Sequence, residues 1–247
     1  DGNTVTFDLQ NASGDSVNCS TIINGFISAG DDLIMANGTA ALQAAQSGTA
    51  DIPILGTSIT DYATALDMSD WTGKTGTNIS GTTDLAPLDG QAEMLQEVFP
   101  DAKNVGLLYC SAEPNSAYQI NVIKPILEEM GYTCTEYTFA DSNDIASVTA
   151  NACTASDVIY IPTDNTAASC TETIRNVVVP AGVPVVASVE GICEGCGVVT
   201  LCIDYYELGE MTAEMAYDIL VGGQNPGDME VRSVTNVTKM YNESICQ

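Results

Sequence analysis

Polar side chains follow nearly every strand-like run of this sequence, at the point where the run ends. The apolar run at 158–161, for example, leads directly into PTDN at 162–165. Hydroxyls, amides and carboxylates can hold a charged small molecule by hydrogen bonds. Because ligands of parallel α/β sheets bind beyond the carboxyl ends of the strands, these residues form a candidate binding site. The candidates are Gly38, Thr39, Thr57, Ser58, Thr60, Asp61, Ser111, Asn115, Ser116, Thr163, Asp164, Asn165, Glu190, Asp204 and Tyr205.

A helix cap is the simpler explanation of each polar residue taken alone. Ser, Thr, Asp and Asn are preferred at helix N-termini, where one of them contributes about 1 kcal/mol. Thr163, Asp164 and Asn165 precede a helix-like segment, so capping alone accounts for them. Taken together, the polar strand ends indicate a cleft with both hydroxyl donors and carboxylates. Helix N-termini pointing into that cleft would add backbone N–H donors for an anion.

Such a mixture of groups suits a zwitterion. We expect N–H groups and hydroxyls around Thr39 and residues 57–60 to hold its carboxylate, because the chain has almost no arginine. We expect its ammonium group to be held by Asp164 first, and otherwise by Asp204 or Glu190. A charged hydrogen bond of this kind contributes about 1.5–3 kcal/mol.

Composition excludes several other functions. The chain of 247 residues has a formal net charge of −27, and its six Lys and Arg residues are scattered. It therefore offers no basic surface for nucleic acid or for an anionic membrane. The lack of histidine removes Ser-His-Asp and Cys-His catalysis and histidine metal sites. We expect no catalytic residue, no metal and no cofactor, and no signal peptide or membrane span is visible in the sequence.

The motif CEGC at 193–196 is the segment most typical of redox or metal chemistry. A redox motif would open a helix after a strand, whereas this one is predicted to lie in a glycine-rich loop. A zinc site would need a second pair of ligands, which Cys202 alone does not complete. The cysteines number nine, an odd count. We interpret most of them as reduced, buried thiols, and structural disulfides stay open.

Strand-like and helix-like segments alternate along the chain, which predicts parallel α/β layers. The strand-like runs are 5–9, 33–36, 52–57, 105–110, 135–139, 158–161, 183–187 and 198–203. The helix-like segments are 16–29, 39–47, 88–99, 114–130, 143–153, 166–178 and 205–221.

The alternation breaks at 61–84, a segment rich in Thr, Gly, Ser and Asp that has no helix of normal length. We interpret it as a crossover between two Rossmann-like lobes. An irregular stretch at 189–197 precedes a second crossing, and 231–241 has strand character and could cross again. The prediction is a hinged clamp with a first lobe of 1–82 plus 204–232 and a second lobe of 83–203 plus 233–247.

Several segments together resemble the ABC transporter substrate-binding protein family that includes tryptophan- and tyrosine-binding lipoproteins. They follow the family's order along nearly the whole chain, and PTDN at 162–165 and IDYY at 203–206 are their most specific parts. The segments are NGTAALQAAQSGTADIPILGTSITD, TGTNISGTTDLAPLDGQ, NVGLLYCSAEPNSAYQINVIK, VIYIPTDNTAAS and CIDYYELGEMTAEMAYDIL.

The resemblance implies a fold like that of type I periplasmic binding proteins, with a small amino-acid-like ligand between the lobes, an aromatic amino acid being favoured. It implies no catalysis, an ABC transporter permease as partner and a monomer. It also implies a location outside the cytoplasm, either periplasmic or as a cell-surface lipoprotein whose lipid anchor lies outside this chain. Candidate stacking partners for an aromatic ligand are Tyr62, Trp71, Tyr118 and Tyr205.

Three alternatives stay open. The same fold could bind a nucleoside or a sugar, although one Trp and few basic residues make this less favoured. A thiol-dependent enzyme would use Cys193 and Cys196. A sensor would report the ligand rather than deliver it.

Three features depart from the family pattern. Relatives begin with one more β-α unit, whose strand lies inside the first sheet, so we expect that unit to be missing from this numbering or supplied otherwise. Tyr62 stands where the family has a proline. The cysteine-bearing stretch at 193–196 follows Glu190 closely enough to reshape the pocket.

Overall fold

Helices and strands alternate along most of the chain in the computed structural model, which describes residue 2 and residues 4–246. The helices are α1 Ser16–Ala29, α2 Thr39–Gly48, α3 Tyr62–Ala65, α4 Leu88–Val98, α5 Pro114–Glu129, α6 Ile145–Cys153, α7 Asn165–Ser169, α8 Thr171–Ala181, α9 Glu190–Cys196 and α10 Tyr205–Leu220. The strands are β1 Ile34–Asn37, β2 Ile54–Ile59, β3 Ile79–Thr83, β4 Asn104–Cys110, β5 Thr133–Phe139, β6 Val158–Ile161, β7 Val185–Ala187, β8 Val199–Ile203, β9 Arg232–Ser233 and β10 Val237–Tyr241.

The strands form two sheets. The four-stranded sheet has the order β1-β2-β3-β9, and all its pairings are parallel. The six-stranded sheet has the order β10-β8-β7-β6-β4-β5 and is parallel except for β10, which runs antiparallel to β8. The predicted fold class, α/β with two parallel sheets, is therefore confirmed.

The chain passes between the two sheets at three places. It leaves the four-stranded sheet after β3, returns to it between β8 and α10, and leaves it again between β9 and β10. Helix α10 packs on β2 and β3, where Met215 and Ile219 bury apolar surface against Leu55. Thus α10 and β9, which follow the parallel strands of the six-stranded sheet in the sequence, complete the lobe built on the four-stranded sheet.

The six-stranded sheet has a core on both faces, which explains its uninterrupted apolar runs. Along β4, Leu107 and Tyr109 pack toward α4 and α5, whereas Leu108 and Cys110 pack toward α6, α8 and α9. Successive side chains of a strand point to opposite faces, so a strand covered on both sides must be apolar throughout.

The strand predicted at 5–9 is wrong. No backbone hydrogen bond joins residues 4–10 to another described residue, so the segment has no strand partner among the described residues. Phe7 is 83% and Leu9 91% exposed. Alternating apolar residues predict a strand only where a neighbouring strand can pair with it and a core can take its apolar face.

Two more predictions near the later strands need correction. The stretch 189–197 is not an irregular loop, because α9 occupies most of it and buries Ile192, Cys193 and Cys196 on one face. That apolar face overrides the low helix propensity of its glycines. Gly195 also lets α9 lie close to α8, since a Cβ there would sit 2.3 Å from the Thr171 side chain. The single helix predicted at 166–178 is instead α7 and α8, separated at Cys170.

Candidate functional site

The carboxyl ends of the two sheets face each other. Helix α3, which follows β2, packs against α5, which follows β4. Asp61 caps α3, and Tyr118 lies in α5. Burial, and then the nearby charge of Asp61, raise the pKa of Tyr118. Where the chain crosses between the sheets, the Tyr205 hydroxyl at the start of α10 donates to Asp84 after β3 at 2.8 Å. The polar strand ends therefore line a shared junction, which we call the cleft.

The N-terminus of α2 opens at the end of β1. Its N-cap residue is Gly38, with φ 88° and ψ 158°, and no side chain caps the helix. Only glycine adopts this backbone conformation readily, which explains the residue type. The N–H of Gly38 donates to the carbonyl of Thr57, which ties this N-terminus to the end of β2. The first N–H groups of α2, beginning at the buried Thr39, are thus arranged to bind an anion.

The end of β2 carries hydroxyls in two different settings. The Thr57 hydroxyl accepts from Thr82 and Thr212, each at 3.2 Å, and so faces α10. Ser58 has φ 54°, a left-handed conformation that costs a non-glycine residue about 1 kcal/mol or more. Thr60 is buried and donates its hydroxyl to Asp84 at 3.2 Å. Backbone strain at the strand end is consistent with a binding site there.

Asp84, directly after β3, is a buried carboxylate that the sequence analysis did not select. It is 3% exposed and accepts from the hydroxyls of Thr60 and Tyr205. Burial raises the pKa of Asp84, and burial together with Asp84 raises the pKa of Tyr205. The ion pairs among the described residues involve Lys124, Arg232 and Lys239, and none includes a cleft carboxylate. Asp84 therefore has hydroxyl partners and no cationic one in the described part of the chain.

Asp61 and Asp164 follow β2 and β6 and cap the helices that come next. Asp61 is half-buried and accepts from the Thr64 N–H at 2.7 Å. Asp164 is 1% exposed and accepts from the N–H groups of Ala167 and Cys110, each at 2.7 Å, and from the Ser116 hydroxyl at 2.8 Å. An ionised carboxylate has about four acceptor sites, so three of those on Asp164 are already used.

Glu113, another residue that the sequence analysis did not select, shares the N-terminus of α7 with Asp164. It accepts from the backbone and side chains of Asn165 and Thr166 at 2.7–2.9 Å. Burial alone would raise the pKa of Glu113, but these hydrogen bonds outweigh it and hold the pKa below its usual range. Burial, followed by the charge of Glu113, raises the pKa of Asp164 to about 6. The sequence analysis did not place Glu113 beside Asp164, because Glu113 precedes α5 and Asp164 precedes α7.

Buried amides connect the strand ends of the six-stranded sheet. The Gln119 side chain bonds both the N–H and the carbonyl of Thr163, and the Asn115 amide donates to the same carbonyl at 3.0 Å. The Thr163 and Ser188 hydroxyls lie 3.1 Å apart, and Gln91 donates to the Ser188 carbonyl at 3.2 Å. Gln91 and Gln119 were missed because each lies within a helix, where sequence alone does not show which face is polar and buried.

The remaining predicted residues lie after other strands and make only local contacts within the described part of the protein. Ser111 is exposed and donates to the Phe139 carbonyl at 3.2 Å. Asp204 is exposed and caps α10 by accepting from the N–H groups of Tyr206 and Glu207. Glu190 is half-buried in the first turn of α9.

The candidate aromatic residues have different surroundings. Tyr62 is 2% exposed, stacks on Trp71 with ring centroids 6.1 Å apart, and donates to the Gly56 carbonyl. It is therefore a core residue. Tyr118 is half-buried on α5, opposite Asp61. Tyr118 and Tyr205 thus remain the candidates that lie at the cleft itself.

The cysteines of α9 are poor nucleophiles. Burial raises the pKa of both Cys193 and Cys196 to about 12, so both stay protonated near neutral pH. Within residue 2 and residues 4–246, no group of three or more His, Cys, Asp or Glu could hold a metal ion, and no helix is long and apolar enough to span a membrane.

Comparisons with known proteins point to one family. The family described as ABC transporter substrate binding protein matches residues 1–247. The tyrosine-binding protein of Clostridioides difficile (strain R20291) is 31% identical over 243 residues, which cover 98% of this chain and 70% of that protein.

Solved structures agree with this assignment. An ABC domain in complex with L-Trp, from Streptococcus pneumonia, aligns with a TM-score of 0.93 and 30% identity over 98% of this chain and 84% of that one. The ligand-free, open structure of a substrate binding protein with adhesive properties, from Clostridium difficile, has a TM-score of 0.73 and 34% identity over 99% of this chain and 82% of that one. This chain therefore belongs to the family of ABC transporter substrate-binding proteins.

Proposed function

We propose that the cleft binds a free amino acid, with an aromatic side chain favoured, for delivery to an ABC transporter permease. The observation that carries this proposal is the buried carboxylate of Asp84, which has no cationic partner among the described residues. A buried charge is costly unless it is paired, and a ligand ammonium group would supply the missing partner. The two relatives described as tyrosine-binding and as bound to L-Trp support an aromatic amino acid.

The proposed contacts place the two charged groups of the ligand at neighbouring strand ends of the four-stranded sheet. Its carboxylate would meet the first N–H groups of α2, with Gly38 and Thr39, and the hydroxyls at 57–60. Its ammonium group would lie against Asp84, with Asp61 nearby. Asp164 stays a predicted contact through its one unused acceptor site, although its bonds within the protein favour a capping role. Ser111, Glu190 and Asp204 stay predicted contacts as well.

The conformation described above corresponds, in this proposal, to the closed state. The chain aligns better with the L-Trp complex than with the open, ligand-free structure, although its identity to the open one is higher. In this proposal the lower TM-score reflects a difference in lobe arrangement, because the higher identity argues against a difference in sequence. A ligand favours closure only if it gains contacts from both lobes, which the facing strand ends would provide.

The remaining expectations accompany this proposal. Substrate-binding proteins of ABC importers lie outside the cytoplasm, and we propose a monomer held there as a periplasmic protein or by a lipid anchor. We further propose no enzymatic activity, and lobes of 1–82 plus 204–232 and 83–203 plus 233–247. The protonated thiols of Cys193 and Cys196 argue against the thiol-dependent enzyme. A sugar or nucleoside has no ammonium group and would leave the charge of Asp84 unpaired, which argues against that ligand class.

A thermal-shift screen tests the proposed ligand class. We expect L-tryptophan or L-tyrosine at a hundredfold excess over its Kd to raise the unfolding temperature on the order of 5–10 °C. N-acetyl and methyl-ester derivatives of the same amino acid serve as controls, because each removes one charge while keeping the side chain. Both should lose most of the shift. A shift with sugars or nucleosides, and none with any amino acid, would contradict the proposal.

A further inference from the structure

Two cysteines from distant parts of the chain lie on segments that contact each other outside the cleft, where the C-terminal turn packs against α9. The N–H of Asn242 donates to the Val198 carbonyl at 2.9 Å, and its amide donates to the Cys193 carbonyl at 2.9 Å. The sulfur of Cys246 lies 3.8 Å from the same Val198 carbonyl. Asn242 therefore brings the segment that carries Cys193 and the turn that carries Cys246 together.

The C-terminal segment is weakly anchored apart from these contacts. Strand β10 is the outermost strand of its sheet, pairs only with β8, and has mostly exposed side chains. The turn after it is closed by a hydrogen bond from the Cys246 N–H to the Asn242 carbonyl at 3.1 Å. An edge strand with little apolar burial opens more easily than the core strands beside it.

We propose that Cys193 and Cys246 form a disulfide that joins the C-terminal turn to α9. The exposed Cys246 thiolate attacks a small-molecule disulfide and releases one thiol, which leaves a mixed disulfide on Cys246. The Cys193 thiol, as its thiolate, then attacks the Cys246 sulfur and releases the second thiol. Two protein thiols are oxidised, the small disulfide is reduced to two thiols, and the protein loses two hydrogen atoms. The location of this protein family outside the cytoplasm provides the oxidising surroundings in which such bonds persist.

The contacts of the two other nearby thiols leave Cys193 as the partner. The Cys202 sulfur points to the Thr238 carbonyl and the Met240 sulfur, and the Cys196 sulfur points to the carbonyl of Ile192 in its own helix. Burial, and then the neighbouring Cys202 and Cys246, raise the pKa of Cys193 to about 12. The second step is therefore expected to be slower than the first, because thiolates and not thiols attack disulfides.

The disulfide would enclose a functionally important part of the fold. The segment between Cys193 and Cys246 contains β8, α10, β9 and β10, and so includes two of the three places where the chain passes between the sheets. Closing a long loop lowers the entropy of the unfolded chain and stabilises the folded one. The covalent link would hold β10 on β8 and keep both crossing segments together, independently of any ligand in the cleft.

Peptide mapping without reduction tests this proposal. The purified protein is incubated with oxidised glutathione, its free thiols are alkylated, and the digest is analysed by mass spectrometry. We expect a cross-linked peptide that joins Cys193 to Cys246, and seven alkylated thiols in place of the nine of the reduced protein. Cys246→Ser and Cys193→Ser should each lack the cross-link, whereas Cys153→Ser, a half-buried cysteine elsewhere, should keep it.

The effect on stability provides a second measurement. Oxidation should raise the unfolding temperature of the wild-type protein by about 5 °C or more, and dithiothreitol should reverse the change. Cys246→Ser should show no such rise. Nine alkylated thiols after oxidation, glutathione retained on Cys246, or a cross-link from Cys246 to Cys202 would each overturn the proposal.

Discussion

Replacing Asp84 by asparagine is expected to weaken amino-acid binding at least tenfold while leaving the empty protein as stable as before, or more stable. The loss of affinity follows from removing a charged hydrogen bond to the ligand ammonium group, which contributes about 1.5–3 kcal/mol, or roughly 10- to 150-fold in Kd. Asparagine has the same shape as aspartate, so the cleft keeps its form.

The stability of the empty protein should change in the opposite direction. The partners of Asp84 are the hydroxyls of Thr60 and Tyr205, which can turn to donate or to accept. The asparagine side chain of Asp84→Asn would accept from one hydroxyl and donate to the other, so no buried group loses its partner. The variant also removes a buried charge, whose burial raises the pKa of Asp84 and opposes folding while the carboxylate is ionised, so a gain in stability is expected.

The pH dependence of the free energy of unfolding reports on the charge of the Asp84 carboxylate. Because the pKa of Asp84 is raised in the folded protein, the folded state binds more protons than the unfolded chain between about pH 4, the ordinary pKa, and the raised value. The Asp84 contribution to the free energy of unfolding therefore decreases as pH rises through that window. Wild-type protein should lose stability across the window relative to Asp84→Asn.

Calorimetric affinity and urea unfolding of the ligand-free protein measure the two effects separately. Asp51→Asn is a matched control, because Asp51 is exposed and its replacement changes the net charge equally. The control should change neither quantity appreciably. Unchanged affinity in Asp84→Asn would show that the ammonium group is held elsewhere, and Asp61 would be the next residue to replace.

The architecture was largely predictable, because it depends on patterns that span whole elements. The apolar run of β4 and the helical spacing of Ile120, Ile123 and Leu127 in α5 predict a buried parallel strand and a covering helix. The first crossing was predictable too, since the alternation breaks near it, whereas the irregular stretch expected before the second crossing is helix α9. The segment 5–9 shows the limit of such patterns: its alternation is local, whereas pairing depends on what the rest of the chain places beside it.

The cleft was predictable only in part. Strand ends can be recognised locally, so the polar residues after β2, β4 and β6 were found. Asp84 was missed because 61–84 was interpreted as a crossover between the lobes, although β3 lies inside the four-stranded sheet and Asp84 is its polar strand end. The difference between a ligand contact and a cap depends on which donors surround a carboxylate, and most of those donors are distant in sequence.

Asp164 illustrates this difference, and its replacement by asparagine is expected to cost the empty protein about 1–3 kcal/mol of stability relative to Asp84→Asn. Two of its three donors are the backbone N–H groups of Cys110 and Ala167, on opposite oxygens of the carboxylate. An N–H group cannot turn to accept, so the amide nitrogen introduced by Asp164→Asn would face one of them and leave it unpaired. An unpaired buried donor costs about 1–3 kcal/mol.

Urea unfolding of the two asparagine variants, both without ligand, tests this expectation. Each variant removes one buried carboxylate, so the comparison cancels most of the effect of losing a charge and isolates the effect of the donors. Asp144→Asn is the control, because Asp144 is the N-cap residue of α6 but its exposed side chain makes no capping hydrogen bond. Equal midpoints for Asp84→Asn and Asp164→Asn would contradict a capping role. If Asp164→Asn were as stable as Asp84→Asn and also lost ligand affinity, the ammonium contact would belong to Asp164.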